Sequence, residues 1–155
     1  MKRIRAVGIV VQNDQVLLIE RRNTLEYFVF PGGGVENEET VEQAVIRELR
    51  EETTIEVKIK KLLYCHMYDD DTEQYFYLCE YIGGEPKLAH DAPEIKQMAE
   101  GNDFYNPAWY KIEDLKTMLV FPLEIRDLLL EDIKNNFSNP VNTLTIKVSE
   151  LRRKI

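Results

Sequence analysis

The segment that decides the fold reads GGVENEETVEQAVIRELREETTI and runs from Gly33 to Ile55. Apolar side chains recur in it at helical spacing, at Val41, Ala44, Val45 and Leu49. This spacing places them on one stripe of a helix, where they can be buried together. Thr40 directly precedes the stripe and Gln43 follows three residues later, which is the pattern of a capping box. The sequence therefore predicts a helix that begins after Thr40 and runs to about Thr53.

Three glutamates, Glu48, Glu51 and Glu52, share one face of this predicted helix. At about 100° per residue they fall within an arc of roughly 100°, so like charges meet at i,i+3 and i,i+4. They also lie at the C-terminal end, where the helix dipole is already negative and Lys or Arg is preferred. A hard divalent cation such as Mg²⁺ or Mn²⁺ would remove both penalties, because such ions prefer oxygen ligands. The alternative is a solvated acidic face partly offset by Arg47, and the helix by itself leaves both interpretations open.

Fixed spacings connect this acidic helix to the glycines before it. Gly33 is followed after five residues by Glu39, and Glu39 after seven residues by Arg47-Glu48-Leu49. One residue separates that run from Glu51-Glu52, and one more separates Glu52 from Thr54-Ile55. The whole string resembles the signature box of the Nudix hydrolases, including the MutT-like members. That family usually has Gly where this chain has Thr54, so we expect the helix to end differently here, because a β-branched residue is strained in the left-handed conformation.

The resemblance implies a fold and a reaction. The fold is α+β, a Nudix-like α/β/α sandwich with a central mixed β-sheet and the catalytic helix after the Gly-rich loop. The reaction is the metal-dependent hydrolysis of a nucleoside diphosphate linked to another group, with Mg²⁺ or Mn²⁺ as the cofactor. Such a metal is chemically suited to this reaction, because water must attack phosphorus between anionic phosphates and a cation offsets their charge.

The resemblance also assigns roles within the box. Glu51 and Glu52 are expected to be the principal metal ligands, and Glu48 a ligand or the general base. The backbone carbonyl of Gly33 is expected to be a further ligand. Gly33 and Gly34 together are expected to bring the backbone close to the substrate, since glycine permits such an approach.

Four further residues are candidates by the same resemblance. Arg47 is expected to hold the carboxylates in place, and Glu39 to brace the loop against the helix. The family often has a basic residue after the second strand, and we select Arg22 there as a phosphate contact. Some relatives recruit another glutamate from a later loop as base or ligand, and Glu94 is the candidate. For Arg22 and Glu94 the alternative interpretation is a solvated surface charge.

The rest of the chain contains strand patterns and one more helix. Strands are expected at 4–12, 15–20, 56–68, 73–82 and 108–112, with helices at 113–118 and 123–135. Residues 31–34 are expected to form a loop, because three glycines after a proline suit neither a helix nor a central strand. Residues 87–106 are expected to form a long polar loop. The alternating tail at 143–148 is expected to be an extra edge strand, which could pair with a second copy in a homodimer.

Length and composition limit the possible classes of protein. The chain has 155 residues, 44% hydrophobic and 31% charged, which suits one globular domain over 1–155 and excludes a fully disordered chain. A net charge of −8 repels a nucleic-acid backbone, so no nucleic-acid polymer is expected as a partner. The apolar run at 6–11 is too short for a membrane span or a secretory signal. We therefore expect a cytoplasmic protein.

Two substrate classes compete within the resemblance. ADP-ribose-specific relatives tend to have a proline downstream of the box, and the corresponding region here, 68–71, has none. Relatives acting on dinucleoside polyphosphates have a tyrosine for which this chain offers no clear counterpart. A nucleoside triphosphate is therefore the leading substrate by elimination, and sugar-linked or dinucleoside diphosphates are the alternative. A non-catalytic nucleotide-binding module of the same fold is less favoured, because such relatives usually lack box glutamates.

Overall fold

The computed structural model describes residues 2–88, 94, 98 and 104–148. The strands in these ranges are β1 (Arg3–Gln12), β2 (Gln15–Arg22), β3 (Glu26–Val29), β4 (Gly32–Gly34), β5 (Glu56–Tyr68), β6 (Thr72–Gly83), β7 (Phe104–Lys111), β8 (Val120–Phe121) and β9 (Asn142–Ile146). The α-helices are α1 (Val41–Thr53) and α2 (Leu123–Lys134), and a 3-10 helix covers Ile112–Thr117. Every strand and helix predicted from the sequence is present, and several of them have shifted ends.

The strands form a mixed sheet. Its order is β8-β3-β2-β1-β6-β5-β9, with β4 also pairing with β1 and β7 with β2. β1 and β6 run parallel, as do β3 with β8 and β5 with β9, while the other pairs are antiparallel. β1 is therefore the central strand, and residues at one end of it have neighbours on β4 and on β6.

The two helices cover opposite faces of β1. Ala6 and Val10 belong to the apolar cluster that contains Leu49 of α1. Val7 and Ile9, which alternate with them along the strand, belong to the cluster that contains α2. Successive strand residues point to opposite faces, so one sheet is enclosed between two helical layers. The predicted α+β sandwich is confirmed.

Helix α1 begins as the sequence predicts. The Gln43 N–H donates to the Thr40 hydroxyl at 3.1 Å, and the Thr40 N–H donates to the Gln43 side-chain oxygen at 2.9 Å. Both halves of the capping box are therefore made, and two of the backbone donors at the helix start are satisfied. The helix ends at Thr53, the predicted residue.

The expectation that the helix ends differently because of Thr54 is wrong. Thr54 has φ 58° and ψ 12°, the left-handed conformation that a glycine would adopt, and its N–H donates to Arg50 O at 3.1 Å. A β-branched residue in this conformation is strained by about 1 kcal/mol or more. The Thr54 hydroxyl donates to the backbone carbonyl of Glu85 at 2.5 Å, and this hydrogen bond offsets part of the strain.

Thr54→Gly is expected to leave the free energy of unfolding within about 0.5 kcal/mol of the wild type, because relief of strain offsets the lost hydrogen bond and the greater freedom of the unfolded chain. Thr54→Val keeps the strain and the shape but loses the hydroxyl, and should cost about 1 kcal/mol. Urea denaturation gives the free energy of unfolding of both variants and shows whether Thr54→Val is the less stable one. An equal loss in both would show that the left-handed backbone carries no strain here.

The prediction of a loop at residues 31–34 is wrong for its three glycines. Gly32, Gly33 and Gly34 form β4, which pairs antiparallel with Val7, Ala6 and Arg5 of β1. A Cβ on Gly32 would lie 2.4 Å from the carbonyl oxygen of Ala6, so only glycine allows this approach.

The expected loop at 87–106 is likewise wrong at its end. Phe104, Tyr105 and Asn106 belong to β7, which pairs with β2. Residues 89–93, 95–97 and 99–103 of that loop lie outside the described residues.

The predicted tail strand is present and pairs within the chain. β9 runs parallel to β5, from Asn142 opposite Tyr64 to Ile146 opposite Tyr68. The buried carboxylate of Asp132 holds the turn before β9. The Tyr64 hydroxyl donates to Asp132 at 2.5 Å, and the amide of the exposed Asn139 donates to it at 2.6 Å. The homodimer stays a prediction.

No helix among the described residues has the length and apolar character needed to cross a bilayer.

Candidate active site

A cleft of about 470 Å³ opens beside the end of β1 that pairs with β4. Its floor is apolar and includes Val7, Ile19, Phe30 and Phe76. Its acidic side chains are Glu48, Glu52 and Glu94, which lie beside Gly32 and Gly33. Its basic side chains are Arg5 and Arg21, and the neutral polar side chains of Gln74 and Tyr105 also line it. A volume of this size suits a small-molecule ligand.

Glu48 and Glu52 lie one helical turn apart on α1 and both face the cleft. The Gly32 N–H donates to Glu52 at 3.1 Å. Burial raises the pKa of Glu52 well above its usual range, and the negative charges of Glu48 and Glu94 raise it further. Burial also raises the pKa of Glu48, although Arg47 acts in the opposite direction. The two carboxyl groups therefore affect each other's pKa.

Gly33 faces the carboxylate of Glu48. A Cβ at this position would lie 2.4 Å from Glu48 Oε1 and 2.7 Å from Oε2, far inside van der Waals contact. The missing side chain of Gly33 therefore makes the space in which the Glu48 carboxylate lies. At Gly34 a Cβ would meet nothing within 4 Å.

Arg47 joins the glycine strand to the acidic helix. Its guanidinium donates to both oxygens of Glu39, at 2.7 and 3.0 Å, and to the carbonyl of Gly34 at 2.9 Å. It also donates to Glu48 at 2.9 Å and to Glu51 at 3.3 Å. The hydrogen bond from Arg47 lowers the pKa of Glu39, and the partners together raise the pKa of Arg47. These contacts support the positioning roles expected for Arg47 and Glu39.

Glu51 is placed differently from Glu48 and Glu52. Its side chain is 43% exposed, it pairs with Arg47, and it does not line the cleft. Among the residues that the structure describes, no three His, Cys, Asp or Glu side chains are grouped closely enough to hold a metal ion. The structure therefore brings Glu48 and Glu52 together and leaves Glu51 at the rim with Arg47.

Glu94 reaches the cleft from a helical position between β6 and β7. It lines the same cavity as Glu48 and Glu52, and its charge acts on Glu52. Its Oε2 atom is buried and has no hydrogen-bond partner within the described residues. A buried carboxylate oxygen without a donor is costly, and a cation or a water would satisfy it.

The chemistry of the donor set fits a hard divalent cation, although as they stand these carboxyl groups are not grouped closely enough to coordinate one together. Glu48, Glu52 and Glu94 line one cavity, and the charges of Glu48 and Glu94 raise the pKa of Glu52. Oxygen ligands of this kind are the ones that Mg²⁺ and Mn²⁺ prefer. The space left by Gly33 beside Glu48 is a feature that a cation would use, and a water would satisfy the orphaned oxygen of Glu94.

The expected phosphate contact at Arg22 is wrong, because Arg21 lines the cleft and Arg22 does not. Arg22 is exposed, pairs with Glu20 at 3.3 Å and lies over the Phe104 ring at 4.3 Å. Arg21 lies over the Tyr105 ring at 4.2 Å and donates to its hydroxyl at 2.9 Å. β2 continues through Arg22, so neighbouring residues face opposite sides, and the choice between the two arginines depends on which side faces the cleft.

Sequence analysis missed Arg5, Gln74 and Tyr105 as cleft residues. Arg5 precedes a buried strand and Gln74 lies in a strand of alternating polarity, so each is indistinguishable from a solvated strand residue by pattern alone. The register that places Arg5 beside Gln74 is a long-range pairing, which no local motif records.

Comparisons with known proteins give consistent results. The family model described as a NUDIX domain matches residues 2–128. The chain is 39% identical over 96 residues to an ADP-ribose pyrophosphatase of Methanocaldococcus jannaschii, covering 57% of each chain. It is 40% identical over 98 residues to an 8-oxo-dGTP diphosphatase of Escherichia coli, covering 56% of this chain and 73% of that protein. It therefore spans little more than half the length of the first of these relatives.

A solved structure shares the fold. The crystal structure of a NUDIX hydrolase from Nitrosomonas europaea matches 94% of this chain and 79% of that chain with a TM-score of 0.71. The sequence identity is 16%, so this likeness concerns the fold alone.

Proposed function

This chain belongs to the Nudix family, and from that membership we propose that it is a metal-dependent pyrophosphohydrolase whose substrate is a nucleoside triphosphate. The observation that carries the proposal is the group of carboxyl groups from Glu48, Glu52 and Glu94 in one cleft beside Gly33. Arg5 and Arg21 line the same cleft, and their positive charge favours an anionic substrate there.

Different residues would hold the metal ion and position its ligands during hydrolysis. Glu48 and Glu52, with the carbonyl of Gly33, would hold Mg²⁺ or Mn²⁺. The positive charge of that ion would offset the negative charge of the phosphate oxygens when water attacks phosphorus. Glu51 could join them only by leaving Arg47, which it contacts at 3.3 Å. Arg47 keeps the Glu48 carboxylate turned toward the glycine strand.

Glu94 is proposed as the base that accepts a proton from the attacking water. It has a buried oxygen without a donor, so it has an acceptor position to offer, and it belongs to a different segment from the carboxylates of α1. A carboxylate in a confined cleft can accept a proton from water when a cation is bound nearby.

Glu94→Gln is expected to lower kcat by about 10²-fold, the typical contribution of a general base, with little effect on metal binding. Steady-state kinetics gives kcat, and the rise in melting temperature on adding Mg²⁺ reports metal binding. Glu80→Gln, an exposed glutamate on β6, is the matched control. Unchanged kcat in Glu94→Gln would remove Glu94 from the mechanism.

The similarity to the 8-oxo-dGTP diphosphatase supports a triphosphate substrate. A second candidate is ADP-ribose, favoured by the comparable similarity to the archaeal ADP-ribose pyrophosphatase. The absence of a proline at 68–71 favours the nucleoside triphosphate over ADP-ribose.

A panel of nucleotides tests the proposal. Nucleoside triphosphates, including oxidised purines, would be incubated with Mg²⁺ beside ADP-ribose and dinucleoside polyphosphates, and the products identified by chromatography. We expect the highest kcat/KM for a triphosphate. Turnover confined to ADP-ribose would favour the second candidate, and no Mg²⁺-dependent turnover of any compound would contradict both.

A further inference from the structure

Four neighbouring strands place a row of residues side by side across the sheet. Gly34 of β4 is opposite Arg5 of β1, Arg5 is opposite Gln74 of β6, and Gln74 is opposite His66 of β5. Strands are about 4.8 Å apart, so Gln74 lies roughly 10 Å across the sheet from the glycine strand. Arg5 and Gln74 are both half-buried and both line the cleft. They are therefore side by side, at a distance from the glycine strand.

The amide of Gln74 is held by Tyr68. Gln74 Nε2 donates to the Tyr68 hydroxyl at 2.9 Å, and that hydroxyl lies 2.9 Å from Nδ1 of His66. His66 is fully buried, and burial lowers its pKa. In the neutral tautomer with its proton on Nε2, Nδ1 accepts the proton of the Tyr68 hydroxyl. Tyr68 then accepts from Gln74 and cannot also donate to it. One N–H of the Gln74 amide is thus committed to Tyr68, which orients the amide, and the carbonyl oxygen of Gln74 is left for a ligand.

Arg5 supplies donors beside this acceptor. No hydrogen bond or ion pair joins the Arg5 guanidinium to another residue in the described part of the chain. A phosphate would suit Arg5 alone, but the neighbouring carbonyl oxygen of Gln74 would repel it. A neutral group with an N–H next to an acceptor suits both residues. The edge of a nucleobase has this pattern, whereas a second phosphate group does not.

We propose that Gln74 and Arg5 form the specificity-determining pair that binds the nucleobase edge, and that Tyr68 is the positioning residue that orients Gln74. The inference rests on the proposed function, because it names the part of the substrate that lies away from the carboxylates. It assigns no role in the cleavage step to Gln74, Arg5 or Tyr68.

Binding of nucleoside monophosphates tests the pair without any hydrolysis. Isothermal titration would compare the four nucleoside monophosphates with ribose 5-phosphate, which has the same sugar phosphate and no base. Gln74→Leu is expected to raise the Kd of the best-bound nucleotide about 10-fold, the value of one hydrogen bond to a buried partner, and to leave the Kd of ribose 5-phosphate unchanged. An equal rise for both compounds, or none for either, would overturn the proposal.

Tyr68→Phe tests the positioning role, and it provides a second test of the proposal if Gln74→Leu does not fold. It removes one oxygen that does not touch the ligand, so we expect the nucleotide KM to rise about 3-fold with kcat unchanged. A fall in kcat with unchanged KM would show a merely structural effect and overturn this role. If no compound of the panel is hydrolysed but the binding difference is seen, the proposed function fails while the base-binding pair stands.

Discussion

Glu52→Gln is expected to lower Mg²⁺-dependent turnover by about 10³-fold while the protein stays folded. The amide is close in shape to the carboxyl group and can still accept from the Gly32 N–H, which donates to Glu52 at 3.1 Å. It has no charge to hold a cation, so the stabilisation of the developing charge on the phosphates is lost. It also removes the repulsion from Glu48 and Glu94, so the metal-free variant should unfold at a temperature no lower than the wild type.

Two measurements separate this outcome from a general defect. Mg²⁺ should raise the melting temperature of the wild type through selective binding to the native state, and the rise should shrink in Glu52→Gln. Glu131→Gln, an exposed glutamate on α2, is the matched helical control and should behave as the wild type in both assays. Full turnover in Glu52→Gln would refute the assignment of the site.

Gly33→Ala is expected to reduce turnover by about 10²-fold with little loss of stability. The new methyl group would meet the carboxylate of Glu48 at 2.4 Å, and that carboxylate, the free end of a flexible side chain, must move. Such a movement costs the fold little, but a displacement of about 1 Å at a reacting centre can cost 10²-fold in rate. Activity and the free energy of unfolding should therefore respond differently.

Gly34→Ala is the matched control for Gly33→Ala. It makes the same chemical change one residue along the same strand, where a Cβ meets nothing within 4 Å. Turnover should stay within about 2-fold of the wild type, because no carboxylate is displaced. If both variants lost activity equally, the loss would reflect β4 as a strand and not the space beside Glu48.

Local patterns predicted the helix and its capping box, because these depend on residues three and four apart. The glycine strand escaped prediction because its pairing with β1 is a long-range contact, and three glycines alone indicate a loop. Thr54 shows the same limit: the strain of its backbone is predictable, but the carbonyl of Glu85 that offsets it is brought near by the fold.

The candidate site shows the same difference between local and long-range signals. Glu48, Glu52, Arg47 and Glu39 were found because their spacing along one segment is itself the signal. Arg21 was missed in favour of Arg22, since the side of β2 that faces the cleft depends on how the sheet curves around it. Arg5 and Gln74 were missed because they come from two distant strands that only the register brings together.

This division has a consequence for how such a protein can change. The residues that would perform cleavage lie nearly all in one run of twenty-one residues, 32–52. The contacts of Arg47 with Glu39 and Gly34 are made within this same run. The surface that would select a ligand is assembled from residues scattered over several strands. Mutations can therefore alter ligand choice one position at a time without disturbing the chemistry, and a new specificity can be engineered here without redesigning the catalytic segment.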